Sequence, residues 1–168
     1  YSEVDNTMLH VNFNFLKDFV EIQQATREYW SDDVSKTWCE QHMPFYRVFY
    51  PFRRPDLGIK HLEWATTLDD PSLPPHEQSV QQAKHARETL ILYKWWVEGR
   101  PGRVLVEIHY PGGNKGRLDI FSPKYKNLPG YKKYKDSIDK SFKQEERWDN
   151  EDDKMLVRLM KIRRGLWT

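Results

Sequence analysis

Apolar residues near the start of the chain recur at helical spacing. Leu9, Phe13, Leu16 and Val20 form one stripe, and Phe15, Phe19 and Ile22 lie beside it. This predicts a helix over about residues 7–30 with an apolar face wide enough for a central place in a bundle. Ser31 before Asp32 and Asp33 reads as the cap of a short helix carrying Val34 and Trp38, which Pro44 ends. Residues 45–55 mix five aromatics, three arginines and two prolines, which argues against a long regular element. Leu57, His61, Leu62, Ala65 and Leu68 restore helical spacing over 56–68. After a Pro-rich loop, Val80, Ala83, Leu90, Tyr93 and Val97 place a helix over 75–98, stopped by Gly99 and Pro101.

The period then changes. Val104, Val106, Ile108 and Tyr110 alternate with Leu105, Glu107 and His109, and a Pro-Gly-Gly-Asn-Lys-Gly turn precedes 117–121. That pattern predicts a β-hairpin, which needs helices to pack on. Residues 131–166 read as helical, with a break expected near Asp149. Tyr134, Ile138 and Phe142 form one stripe, and Met155, Leu156, Leu159, Ile162 and Leu166 continue it. The expected fold is mainly α: a helical bundle of four or five helices with a small β-hairpin insertion over 103–122, in a single domain spanning 1–168.

Composition narrows the class. In 168 residues there are seven Trp, nine Tyr and eight Phe, so Trp alone outnumbers the four Ala. That is too aromatic for a disordered chain. No apolar run is long enough for a membrane span, and no charged-then-apolar signal segment is visible. The one cysteine, Cys39, cannot form an intrachain disulfide and fits a reducing compartment. The formal charge of +2 averages opposed blocks. Residues 124–143 carry seven Lys and two Asp, 145–153 carry six acids and one Arg, and 158–164 carry four bases. Acids before bases along the last helix suit its dipole.

Candidate chemistry is sparse. None of the twelve Glu is followed by His three residues later, the pairing a di-metal bundle uses. His85 with Glu88, and Cys39 with His42, have ligand-like spacing without a second half. No Gly-x-Ser-x-Gly turn is present, and the glycines at 112, 113 and 116 suit a hairpin turn better than a phosphate loop. No catalytic residue, metal ligand or cofactor is therefore assigned. Lys124, Lys126, Tyr131, Lys132, Lys133, Tyr134 and Lys135 interleave cations with rings, a pattern that suits nucleic acid. Tyr93, Trp95, Trp96, Arg100 and Arg103, with Arg47, Arg53 and Arg54, are candidate ligand-binding residues, because guanidinium and ring faces suit nucleotides. The same rings can instead form an aromatic packing layer in which Arg100 and Arg103 pair with Glu151 or Asp152 or sit over a Trp face.

Several stretches together carry a resemblance. They are the Leu9–Gln24 pattern with Phe19-Val-Glu21, Gly58-Ile-Lys-His-Leu-Glu-Trp64, Leu92-Tyr-Lys-Trp-Trp96 with Arg100-Pro101-Gly-Arg103, and the ending Glu151–Thr168. The last contains Met-Leu-x-Arg-Leu-x-x-Ile-Arg-x-x-Leu-Trp, the most specific part. The chain resembles a family of uncharacterised proteins encoded by tailed bacteriophages, with 103–130 outside the match. The resemblance implies a viral protein in the cytoplasm of an infected bacterium or in the particle, and brings no catalytic residues with it. The expected function is a non-enzymatic binding or interaction protein acting on a host or phage protein. The alternative is a nucleotide or nucleic-acid binder, including one that captures small signalling nucleotides. A weaker alternative is a metal-dependent enzyme on a helical bundle. The sequence leaves the oligomeric state open.

Overall fold

The structure is a computed structural model that describes residues 3–25, 53–110 and 129–166. The expected short helix with Val34, Trp38, Cys39 and His42, the aromatic run through Arg47, the turn and returning strand over 111–122, and Lys124, Lys126 and Trp167 lie outside the described residues. The chain forms two compact units, Tyr1–Pro101 with Met155–Thr168, and Gly102–Lys154.

The described helices are α1 (Glu3–Asp18), α2 (Pro55–Ala65), α3 (Val80–Lys94) and α4 (Tyr131–Leu166). The mainly α helical class is thus as the periodicity predicts. Two helices continue as wider π-helical turns, α1 through Phe19–Gln24 and α3 through Trp95–Gly99. The second closes with an Arg100 N–H donated to the Trp95 carbonyl five residues back, at 2.8 Å. Such turns open the regular ladder and re-aim the side chains that follow. Pro55 starts α2, where its missing N–H costs nothing. Helix α3 begins later than its spacing suggests, because 74–79 is fixed as a turn by Glu77 N–H to Pro74 O and Ser79 N–H to Leu68 O. Helix α4 runs 36 residues without the break expected near Asp149.

In the first unit the core is continuous. Leu9, Phe13 and Leu16 of α1 pack with Leu62 and Ala65 of α2, Leu92 and Tyr93 of α3, and Leu159, Ile162 and Leu166 of α4. The predicted α1 stripe is therefore the buried one, joined by Phe19, whereas Phe15 is exposed. Two glycines let elements approach closely. A Cβ on Gly58 would lie inside the carbonyl oxygen of Val20 and 2.9 Å from its carbon. A Cβ on Gly165 would overlap the His85 ring.

In the second unit the β-hairpin expectation needs correction. Residues 103–110 form no strand. They run beside α4, and helix side chains take the place of a partner strand. The His109 N–H donates to Ser137 Oγ (3.3 Å), and Gln144 Nε2 donates to the Val104 carbonyl (3.0 Å). The α4 face that receives this segment carries the buried polar residues Ser137, Ser141 and Asp152 beside the buried ring of Tyr134. Burial follows the alternation only in part: Val106 and Ile108 are half-buried between exposed Leu105, Glu107 and His109, but Val104 and Tyr110 are exposed.

Candidate functional site

The sequence candidates fall into three places. Around α3, Trp96 is buried, with Phe13 stacked on it at a 5.0 Å centroid distance and His10 edge-on at 5.0 Å. The Arg100 guanidinium carbon lies 5.0 Å from the Trp96 ring centroid. Trp95 leans on Phe13, also at 5.0 Å. These rings form a packing layer at the π-helical end of α3, worth more than their area through ring geometry and the cation contact. Trp64, by contrast, is exposed beside His61. A shallow cleft of about 420 Å³ opens over the layer, lined by His10, Asn14, Lys17, Trp96, Val97, Arg100 and Pro101.

Below it, Tyr93 and Arg53 meet at Glu21. The Glu21 carboxylate is only 4% exposed, in the π-helical turn after α1. Its Oε1 accepts from Tyr93 OH at 3.0 Å and faces Lys17 Nζ at 3.8 Å. Its Oε2 accepts from Arg53 Nη1 at 3.3 Å, and the same nitrogen meets Asp18 at 2.8 Å. The Glu21 backbone carbonyl takes the Arg54 N–H at 3.4 Å. Every oxygen of this buried acid is engaged, as a buried charge requires. The Nε of Arg53 is buried without a hydrogen bond. Arg54 pairs locally with Asp56 at 2.8 and 3.0 Å, which holds the Asp56 carboxyl below the usual aspartate range.

In the second unit, Arg103 donates to Glu151 (3.0 Å) and to the buried Asp152 (2.5 Å), with Trp148 beneath it at 5.6 Å. Both partners anticipated for Arg103 are therefore engaged. Tyr134 is buried against Tyr110 at 5.7 Å and Tyr131 at 6.4 Å, and burial pushes its hydroxyl pKa up. Lys132, Lys133 and Lys135 are exposed around it. The predicted alternation of cations and rings thus separates into exposed Lys and an inward Tyr134.

The spaced pair His85 and Glu88 also separates. His85 packs against Gly165, and Glu88 forms a two-pronged pair with Arg158 at 2.6 and 2.8 Å. The Arg158 hydrogen bonds hold the Glu88 carboxyl below its ordinary value of 4.5, against an opposing desolvation. A depressed folded pKa contributes stability above the unfolded value and loses it as pH falls through the folded one. Stability should therefore decline below about pH 4.5. E88Q should flatten that part of the profile in urea midpoints measured across the acid range; an unchanged acid slope would refute the linkage.

Two features do not follow from the periodicity of the sequence. One is the Glu21 cluster, whose partners lie 32 and 72 residues away in sequence. The other is a second exposed stripe on α1. Val4, Met8, Val11 and Phe15 are 69%, 51%, 46% and 52% exposed. Their 4-3-4 spacing puts them on one line, on the side of α1 away from Leu9, Phe13 and Leu16. Among the described residues no group of three His, Cys, Asp or Glu side chains is placed to hold a metal ion. No described helix is long and apolar enough to cross a membrane. No family model, curated protein or solved structure matches the chain.

Proposed function

We propose that the protein is a non-catalytic, phage-encoded binding protein that engages a host or phage protein through the outer face of α1. The carrying observation is the exposed Val4–Met8–Val11–Phe15 line. Its 4-3-4 spacing is that of a seam between two helices. Thr7 and Asn12, which flank it, fold their polar groups onto α1 itself, whereas Asp18 continues the line beyond Phe15 and pairs with Arg53. Thr7 Oγ1 donates to the Glu3 carbonyl at 2.8 Å, and Asn12 Nδ2 to the Met8 carbonyl at 2.7 Å. The fitting partner offers an apolar helix or a groove of helix width. The bacteriophage setting rests on the resemblance of the ending to tailed-phage proteins. The nucleotide and nucleic-acid alternatives gain less: Trp96 and Tyr134 are buried, and Trp96 already carries Phe13 and Arg100.

A photo-crosslinking residue at position 8, placed in the full chain and expressed in the bacterial host, tests this. The expected result is one discrete crosslinked polypeptide. It should disappear when V11D is added, because a buried unpaired charge in the seam costs on the order of 2 kcal/mol or more, about thirtyfold in affinity. Circular dichroism of V11D should remain helical, since Val11 is outside the core. Crosslinks only between copies of this chain, or crosslinks insensitive to V11D, would overturn the proposal.

A further inference from the structure

A second cavity, of about 480 Å³, lies within the first unit, away from the outer face of α1. Four segments line it: the π-helical turn after α1, then α2, α3 and the end of α4. Its size is in the range that holds a small organic ligand. Phe19, Leu62, Ala86 and Leu166 give it an apolar wall. Polar residues line the rest, among them His61, Gln81, Gln82 and His85, and two of them are buried, Gln24 at 4% and Thr89 at 2% exposure. No hydrogen bond is described for either side chain, and neither polar group is sealed from solvent, so both are open to a molecule in the cavity. Arg164 is exposed, lines the same cavity and makes no ion pair among the described residues. No carboxylate lines the cavity among the described residues.

We infer that this cavity binds a small organic anion with a flat apolar body and a terminal oxyanion, either a carboxylate or a phosphate ester. The apolar wall takes the body. Gln24 offers a donor and an acceptor, and Thr89 a hydroxyl, to polar atoms on the buried edge. Arg164 takes the oxyanion in a charge-assisted pair. Gly165 contributes by bringing α4 close against His85, which sets Arg164 at the cavity rim.

The test uses the isotope-labelled full chain and four probes: phenyl phosphate, indole-3-carboxylate, uncharged benzyl alcohol and inorganic phosphate. Fragments of this size bind at millimolar levels, so titration to about 10 mM is adequate. Both aromatic anions should shift the Gln24 side-chain amide and the Thr89 backbone signal. R164Q should weaken them about tenfold and leave benzyl alcohol unchanged, the effect of one charged hydrogen bond. T89V, nearly the same in shape, should weaken the anions while keeping the melting temperature. Tighter binding of one aromatic anion names the phosphate-ester or the carboxylate class. The proposal is overturned if no aromatic anion shifts these signals, if the shifts survive both variants, or if inorganic phosphate alone reproduces them.

Discussion

Replacing Gly58 by alanine should destabilise the first unit by about 3–5 kcal/mol, lowering the melting temperature by roughly 10 °C or more. Helix propensity alone predicts the opposite sign. Alanine in a helix interior is favoured over glycine by about 1 kcal/mol, and Gly58 sits inside α2. The decisive term is steric. The added carbon lands on the Val20 carbonyl and close to its Cγ1, at 3.1 Å. Backbone cannot rotate away as a side chain can, so α2 must lift from the turn after α1. That lift would also strain the Arg54 N–H to Glu21 carbonyl bond. Gly165 provides the control. Its added Cβ meets the His85 ring, which can change rotamer, so G165A should cost less than G58A. Adding H85A should remove most of the G165A penalty. Thermal melts of the three variants decide the matter: a G58A protein as stable as the parent would show that α2 does not approach α1 this closely.

How much of this was legible in the sequence depends on the range over which each feature is determined. The buried stripe of α1 and the apolar face of α4 from Met155 to Leu166 were readable, because a 3.6-residue period is local. For Arg100 and Arg103 the sequence left two roles open, a pair with the acids at 151 and 152 or a place over a Trp face; Arg103 takes the first and Arg100 the second. The segment 103–110 misled because alternation marks an extended chain without naming its hydrogen-bonding partner. Its partner is the polar face of α4, whose Ser137 and Gln144 looked like ordinary surface residues. The acids near Asp149 read as the start of a new helix, yet Asp152 is turned inward to meet Arg103, and the helix continues. The π-helical turns were invisible, since an extra residue in a turn leaves no compositional mark. The outer stripe of α1 was present in the spacing, but Phe15 merged it with the core stripe into one wide face.

Glu21 links these levels, and truncating it should show how strongly. E21A should cost about 3 kcal/mol, most of it from the partners left behind. Arg53 Nη1 keeps Asp18 but loses Glu21, and its buried Nε already lacks a hydrogen bond. Tyr93 loses Glu21 Oε1, which accepts its hydroxyl inside the core. Y93F, which removes one hydrogen bond to a charged acceptor and leaves Glu21 its cations, should cost about 1–2 kcal/mol. Because the two groups share that bond, the E21A/Y93F double variant should be less destabilised than the sum, by about 1 kcal/mol. Urea unfolding of the cycle gives the coupling directly. Additive losses would mean that Tyr93 and Glu21 are neighbours without a working bond. A coupling of the expected size would place the junction of the two π-helical segments among the stabilising centres of the first unit. It would also explain why an ionised side chain is kept where an apolar one would pack. The carboxylate holds the turn after α1, the start of α2 and the end of α3 in one register, and the Trp96 layer and Gly58 contact both depend on that register.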